Sequence, residues 1–70
     1  MNYIVRADYY PNGEVVPLGI TDGQGNSLFL KKIKAYRELE DNSLSFECLT
    51  NSNQTVILSF IDGKWVVKEG

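Results

Sequence analysis

"LFLKKIKAYRELE", Leu28 to Glu40, can be read in two ways, and the fold turns on the choice. Phe29, Ile33, Tyr36 and Leu39 recur at the spacing of one helix face, and Leu, Lys, Ala, Arg and Glu are good helix formers. As a strand, the same stretch turns Leu28 and Leu30 inward. It then needs one extra residue near Lys31–Lys32 so that Ile33 also turns inward, which a β-bulge would supply. The first reading gives an α+β chain with a helix at 28–40; the second gives an all-β chain.

Both flanks of this stretch read as strands. On the N-terminal side, Tyr3, Val5, Ala7 and Tyr9 alternate with Asn2, Ile4, Arg6 and Asp8, the period of a strand with one drier face. "YPNGE" follows: Pro11 presets φ, and Gly13 can take the left-handed conformation that closes a three-residue hairpin loop. In the return segment "EVVPLGIT", Pro17 lacks a ladder donor and Gly19 weakens a strand interior, so an edge or a bulge is expected there. "TDGQGNS" is turn chemistry. Beyond Glu40, "EDNS" turns the chain. Leu44, Phe46 and Cys48 then alternate with Ser45, Glu47 and Leu49. After "TNSNQ", Val56 to Ile61 is apolar on nearly both faces, as a central strand would be. Asp62-Gly63 suits a tight primed turn, and Trp65 and Val67 share a face in the last strand. The sum is a single domain over 1–70. It is expected to be an all-β antiparallel meander or SH3-like barrel of five to six strands, closure being one way to remove exposed edges.

Seventy residues with 43% hydrophobic and 23% charged side chains make a small globular chain with a thin core. A net charge of −2 gives no general pull towards nucleic acid or anionic lipid. The start "MNYIVRADYY" is broken by Arg6 and Asp8 and has no apolar signal region, and no run approaches the ~20 apolar residues of a membrane span. Cys48 is the single cysteine, so an internal disulfide cannot form, and a reducing cytoplasm is the expected location. There is no histidine, which removes the commonest metal ligand and general base.

Trp65 could be a stacking platform, but in so short a chain it is expected to plug the core. "LKKIKAYR" places Lys31, Lys32, Lys34 and Arg37 around Tyr36. It reads as a solvated strand face or as a phosphate-contacting strip, with the acidic "ELED" beside it damping the local field. "GITDGQGNSL" lacks the glycines and helix start of a phosphate loop and the carboxylates of a calcium loop. Cys48 has no base to activate it and alternates with Leu44 and Phe46, as a buried thiol does. Asp8, Glu14, Asp22, Glu47 and Asp62 show no pairing in their spacing. Arg6 is expected to point to solvent, with cation–π stacking on a Tyr or Trp as the alternative.

Arg6, Tyr9, Pro11, Gly13, Pro17, Ile20 and Thr21 follow the pattern R-x-x-Y-x-P-x-G-x-x-x-P-x-x-I-T, and Cys48, Phe60, Lys64, Trp65 and Val67 close the chain in a similarly patterned way. In these positions the chain resembles a group of short uncharacterised proteins from Gram-positive anaerobic bacteria. Their middle segment is richer in β-branched residues, so the resemblance implies a strand over Leu28 to Arg37. They place an aromatic residue after the Ile-Thr pair; here Asp22 stands there, so any role of that aromatic does not carry over. The group brings no activity with it.

These readings favour a non-catalytic binding module with no cofactor and no metal. The expected partner is a protein, a peptide or a second copy forming a homodimer. Tyr9, Tyr10, Lys31, Lys32, Lys34, Tyr36 and Arg37 are the expected contact surface. The alternative is a nucleic-acid accessory using the Lys31–Arg37 strip.

Overall fold

In the computed structural model, which describes residues 3–69, the stretch from Ser27 to Glu38 is strand. Six strands follow in order: β1 (Ile4–Tyr9), β2 (Val15–Thr21), β3 (Ser27–Glu38), β4 (Leu44–Thr50), β5 (Thr55–Ile61) and β6 (Lys64–Glu69). Each pairs antiparallel with the next, in an all-β meander. Asn2, read above as part of the first strand, lies outside the described residues.

The helix alternative at 28–40 is therefore corrected, and its origin is visible in the register. Along β3, Leu30 faces Thr50 and Ile33 faces Cys48, with Lys31 as the extra residue; Ala35 faces Glu47, with Lys34 as a second extra residue. Partners across an antiparallel ladder share a face. Leu30, Ile33, Tyr36 and Glu38 thus lie on the side of Thr50, Cys48, Phe46 and Leu44, which is the core side. Two bulges in succession space the inward residues three apart, as one side of a helix would. The bulge expected near Lys31–Lys32 is present, and the one at Lys34 was not foreseen.

The bulges also bend β3. Only Ser27–Phe29 pairs with β2, through Gly19–Thr21, while Leu30 to Glu38 pairs with β4. β3 therefore carries the chain from one half of the sheet to the other, and the halves curl over a shared core. Ile20, Phe46, Cys48, Val56 and Leu58 are buried there, with Tyr3, Val5, Leu28, Leu30, Leu44, Trp65 and Val67 packed around them. A bulge in β2 falls where Pro17 and Gly19 suggest: Arg6 faces Gly19 and Ala7 faces Pro17, leaving Leu18 unpaired.

The first four hairpin loops share one construction. Tyr10, Asp22, Leu39 and Thr50 each donate their N–H to the carbonyl four residues on, and accept at their own carbonyl from the residue three on. That third position is Gly13 (φ 89°), Gly25 (φ 87°), Asn42 (φ 67°) or Asn53 (φ 64°), all left-handed. Glycine and asparagine enter this region most readily. Asp62 (φ 52°) and Gly63 (φ 76°) form the tighter turn between β5 and β6.

β1 and β6 do not pair in the ladder. Side chains span the gap between them: the Tyr3 hydroxyl donates to Glu69 at 3.2 Å, and the Trp65 indole N–H donates to the Tyr9 hydroxyl at 3.0 Å. The result is a half-open barrel measuring 31 × 21 × 21 Å.

Candidate functional site

The parting of β2 from β3 opens a cleft. Past Gly19 and Phe29 the two strands diverge, so Val15–Leu18 and Leu30–Glu38 face each other without ladder pairing. The space between them measures about 370 Å³. One wall is Asn12, Gly13 and Glu14 of the first loop with Val15 and Val16 of β2. The other is Ile33, Tyr36 and Glu38 of β3, with Leu44 and Phe46 of β4 behind them. Ile33 is 39% exposed and Tyr36 is 51% exposed although both lie on the core side of β3, because no strand covers them. The Tyr36 ring rests on Phe46 at 5.1 Å between centroids, and its hydroxyl donates to Glu38 at 3.0 Å. Partial burial pushes the Tyr36 phenol above its ordinary range, and the hydrogen bond to Glu38 and the charges of Glu38 and Glu14 add to this. Among the described residues, Glu14 and Glu38 are the only charged groups lining the cleft.

The residues expected as a contact surface fall in several places. Tyr36 reaches the cleft. Tyr9 sits at the opposite opening, between β1 and β6, against Phe60 (6.1 Å) and under the Trp65 N–H. Tyr10 opens the first loop through its backbone. Lys31, in the first bulge, donates to Asn53 at 3.2 Å, and Lys34, in the second, pairs with Glu47 at 3.5 Å. Lys32 and Arg37 lie opposite Leu49 and Ser45, on the outer face. Arg37 thus points away from the face that Tyr36 shares with Phe46.

Sequence reasoning missed most of the cleft: Glu14, Val15, Val16, Ile33, Glu38, Leu44 and Phe46 were not grouped. A usable signal was Glu38, a carboxylate in phase with Tyr36. The unforeseen bulge at Lys34 hid that phase.

Other singled-out residues have structural settings. Trp65 packs against Phe60 at 4.8 Å and Phe46 at 5.9 Å, half-buried beside the core. Cys48 is fully buried, and burial, with a smaller effect of Glu47, pushes its thiol up to about 11. Arg6 is exposed and stacks on Phe29, its guanidinium carbon 5.5 Å from the ring centroid. It crosses Gly19 to do so: a Cβ there would lie 3.0 Å from an Arg6 nitrogen and 2.9 Å from the Leu28 carbonyl oxygen. Asp22 organises its own loop, its Oδ1 accepting from the N–H groups of Gln24 and Asn26, each at 2.9 Å.

No helix among the described residues is long and apolar enough to cross a membrane. Compared with protein-family models, with curated proteins and with solved structures, the chain finds no match.

Proposed function

We propose that this protein is a non-catalytic binding module that takes a protein or peptide segment in the cleft between β2 and β3. One observation carries the reading: apolar side chains on the core side of β3 are left uncovered, beside a strand edge with no ladder partner. Uncovered apolar surface next to a free edge is a common setting for peptide recognition by strand addition. A cytoplasmic setting belongs to the same proposal, supported by a lone buried thiol that needs no oxidising compartment. So does membership of the Gram-positive group that the sequence resembles. The nucleic-acid alternative gains little from the arrangement, since Lys31 and Lys34 are engaged by neighbours and Arg37 faces away from Tyr36.

Selection from a displayed library of random octapeptides, followed by amide chemical-shift mapping of the best binder, tests the proposal. Shifts concentrated at Val15, Val16, Ile33, Tyr36, Leu44 and Phe46 are expected. Failure to select any binder, or shifts confined to other faces, would overturn it. Oligonucleotide binding that weakens steeply with salt would favour the alternative.

A further inference from the structure

We infer that the cleft's partner is an extended segment with a basic side chain at one end of apolar ones, added as a strand to the free edge of β3 at Ala35–Glu38. This rests on the cleft being the binding surface and names the chemistry of what fills it. Three features converge on it.

The first is the edge. Between Ala35 and Glu38 the register to β4 runs without a break, whereas the bulges at Lys31 and Lys34 interrupt the stretch before it. In a regular strand alternate residues turn both backbone groups away from the existing neighbour. On that side β3 has no ladder partner beyond Phe29 among the described residues. The opposing wall offers no comparable edge, because Pro17 has no N–H and Leu18 is the bulge residue of β2. The incoming strand therefore bonds to β3 and rests its side chains on Val15 and Val16.

The second is the alternation of the site. An added strand directs every second side chain inward. Those side chains meet apolar surface at Ile33 and Tyr36 and then the carboxylate of Glu38, in that order along β3.

The third is charge. Glu14 and Glu38 line the cleft, both act on the Tyr36 phenol, and no Lys or Arg among the described residues lines it. Of the nearby bases, Lys34 pairs with Glu47, Lys31 donates to Asn53, and Arg37 lies on the outer face opposite Ser45. An ammonium or guanidinium at the cleft mouth would complement both carboxylates, and an acidic segment would be repelled.

The test uses a fluorescein-labelled octapeptide of alternating valine and threonine with one lysine at one end, measured by anisotropy at low salt. A second peptide carries glutamate for lysine, and a third carries N-methyl groups on alternate backbone amides in both phases. The lysine peptide is expected to bind at least tenfold more tightly than the glutamate peptide. The double variant Glu14→Gln, Glu38→Gln should bring the two within twofold; both residues are exposed, so the fold should survive. N-methylation in one phase should weaken binding at least tenfold. Equal binding of the lysine and glutamate peptides, or indifference to both methylation phases, would overturn the inference. If library selection yields a cleft binder without a basic residue, the module stands and the basic partner falls; if nothing binds, both fall. Sedimentation that reveals a dimer which the lysine peptide does not dissociate would make a second copy the occupant, and would also overturn it.

Discussion

Trp65 sits between two aromatic rings and donates its N–H across the gap between β1 and β6. It is therefore both a packing group and a latch. Trp65→Phe keeps a ring against Phe46 and Phe60 but removes the donor, and should lower stability by about 1 kcal/mol. Trp65→Ala also removes the packing, and for a half-buried indole should lower it by about 3 kcal/mol. Urea midpoints of the two variants check this; equal losses would show that the ring contributes nothing beyond its hydrogen bond. Gly19 is limited by space. Its would-be Cβ lies 2.9 Å from a backbone oxygen of β3, which cannot swing aside as a side chain can. Gly19→Ala should cost about 1–3 kcal/mol through forced backbone movement and should lift Arg6 off Phe29. Thermal unfolding of Gly19→Ala beside Arg6→Ala separates the two effects, since losing the stacking alone at an exposed site should cost only about 0.5–1 kcal/mol.

At the scale of the element, β3 explains which parts of the fold the sequence made legible. The alternations of β1 and β4 were readable because one face meets the core and the period is two, and β5 was readable as a short apolar run between turns. Pro17 and Gly19 announced the β2 bulge because neither suits a regular ladder. β3 resisted because two extra residues stretch its inward spacing from two to three, the same spacing a helix would give. A lysine at each bulge carries no signal of its own. The cleft was hidden with it, since its far wall is the inward face of β3. Deleting Lys31 should leave the face assignments intact, because removing a bulge's extra residue restores simple alternation. It should also straighten the strand. The expected outcome is retained β3–β4 pairing by nuclear Overhauser contacts, with loss of the Tyr3–Glu69 and Tyr9–Trp65 bridges that the curl permits. Persistence of both bridges would show that the Lys34 bulge alone supplies the bend. The loops make a second test. Asn42 occupies the left-handed position that Gly13 and Gly25 fill in sister loops. Asn42→Gly should be neutral or slightly stabilising, whereas Asn42→Ala should cost about 1–2 kcal/mol, the left-handed penalty for an ordinary residue; calorimetry on the pair decides.

The molecule as a whole should show a broad, flat stability profile across neutral pH, with a different cause at each edge. It has no histidine to titrate in the middle range. On the acid side, Asp22 is held below its ordinary value of 3.8 by the backbone N–H groups of Asn26 and Gln24, and Asp41 by the hydroxyl and N–H of Ser43. A lowered folded pKa contributes stability that is present above the unfolded value and lost as pH falls through the folded one. The decline should therefore begin near pH 4 and deepen below it. On the alkaline side, burial raises Cys48 from 9.0 to about 11. A raised folded pKa contributes stability that is complete below the unfolded value and lost as pH rises towards the folded one. That decline should begin near pH 9. Tyr3 and Tyr36, both raised from 10.0 chiefly by partial burial, add to it at higher pH. Urea midpoints from pH 2 to 11 test both edges. Asp22→Asn keeps an acceptor at Oδ1 for the loop N–H groups but cannot be protonated, so its acid decline should be shallower than that of the parent. Cys48→Ala should lower the plateau by leaving a small cavity, yet hold that plateau past pH 9 until the tyrosines begin to ionise. If Cys48→Ala declines from pH 9 as steeply as the parent, the alkaline edge belongs to the tyrosines, and with it to Tyr3 and Tyr36 beside the two openings of the barrel rather than to its core.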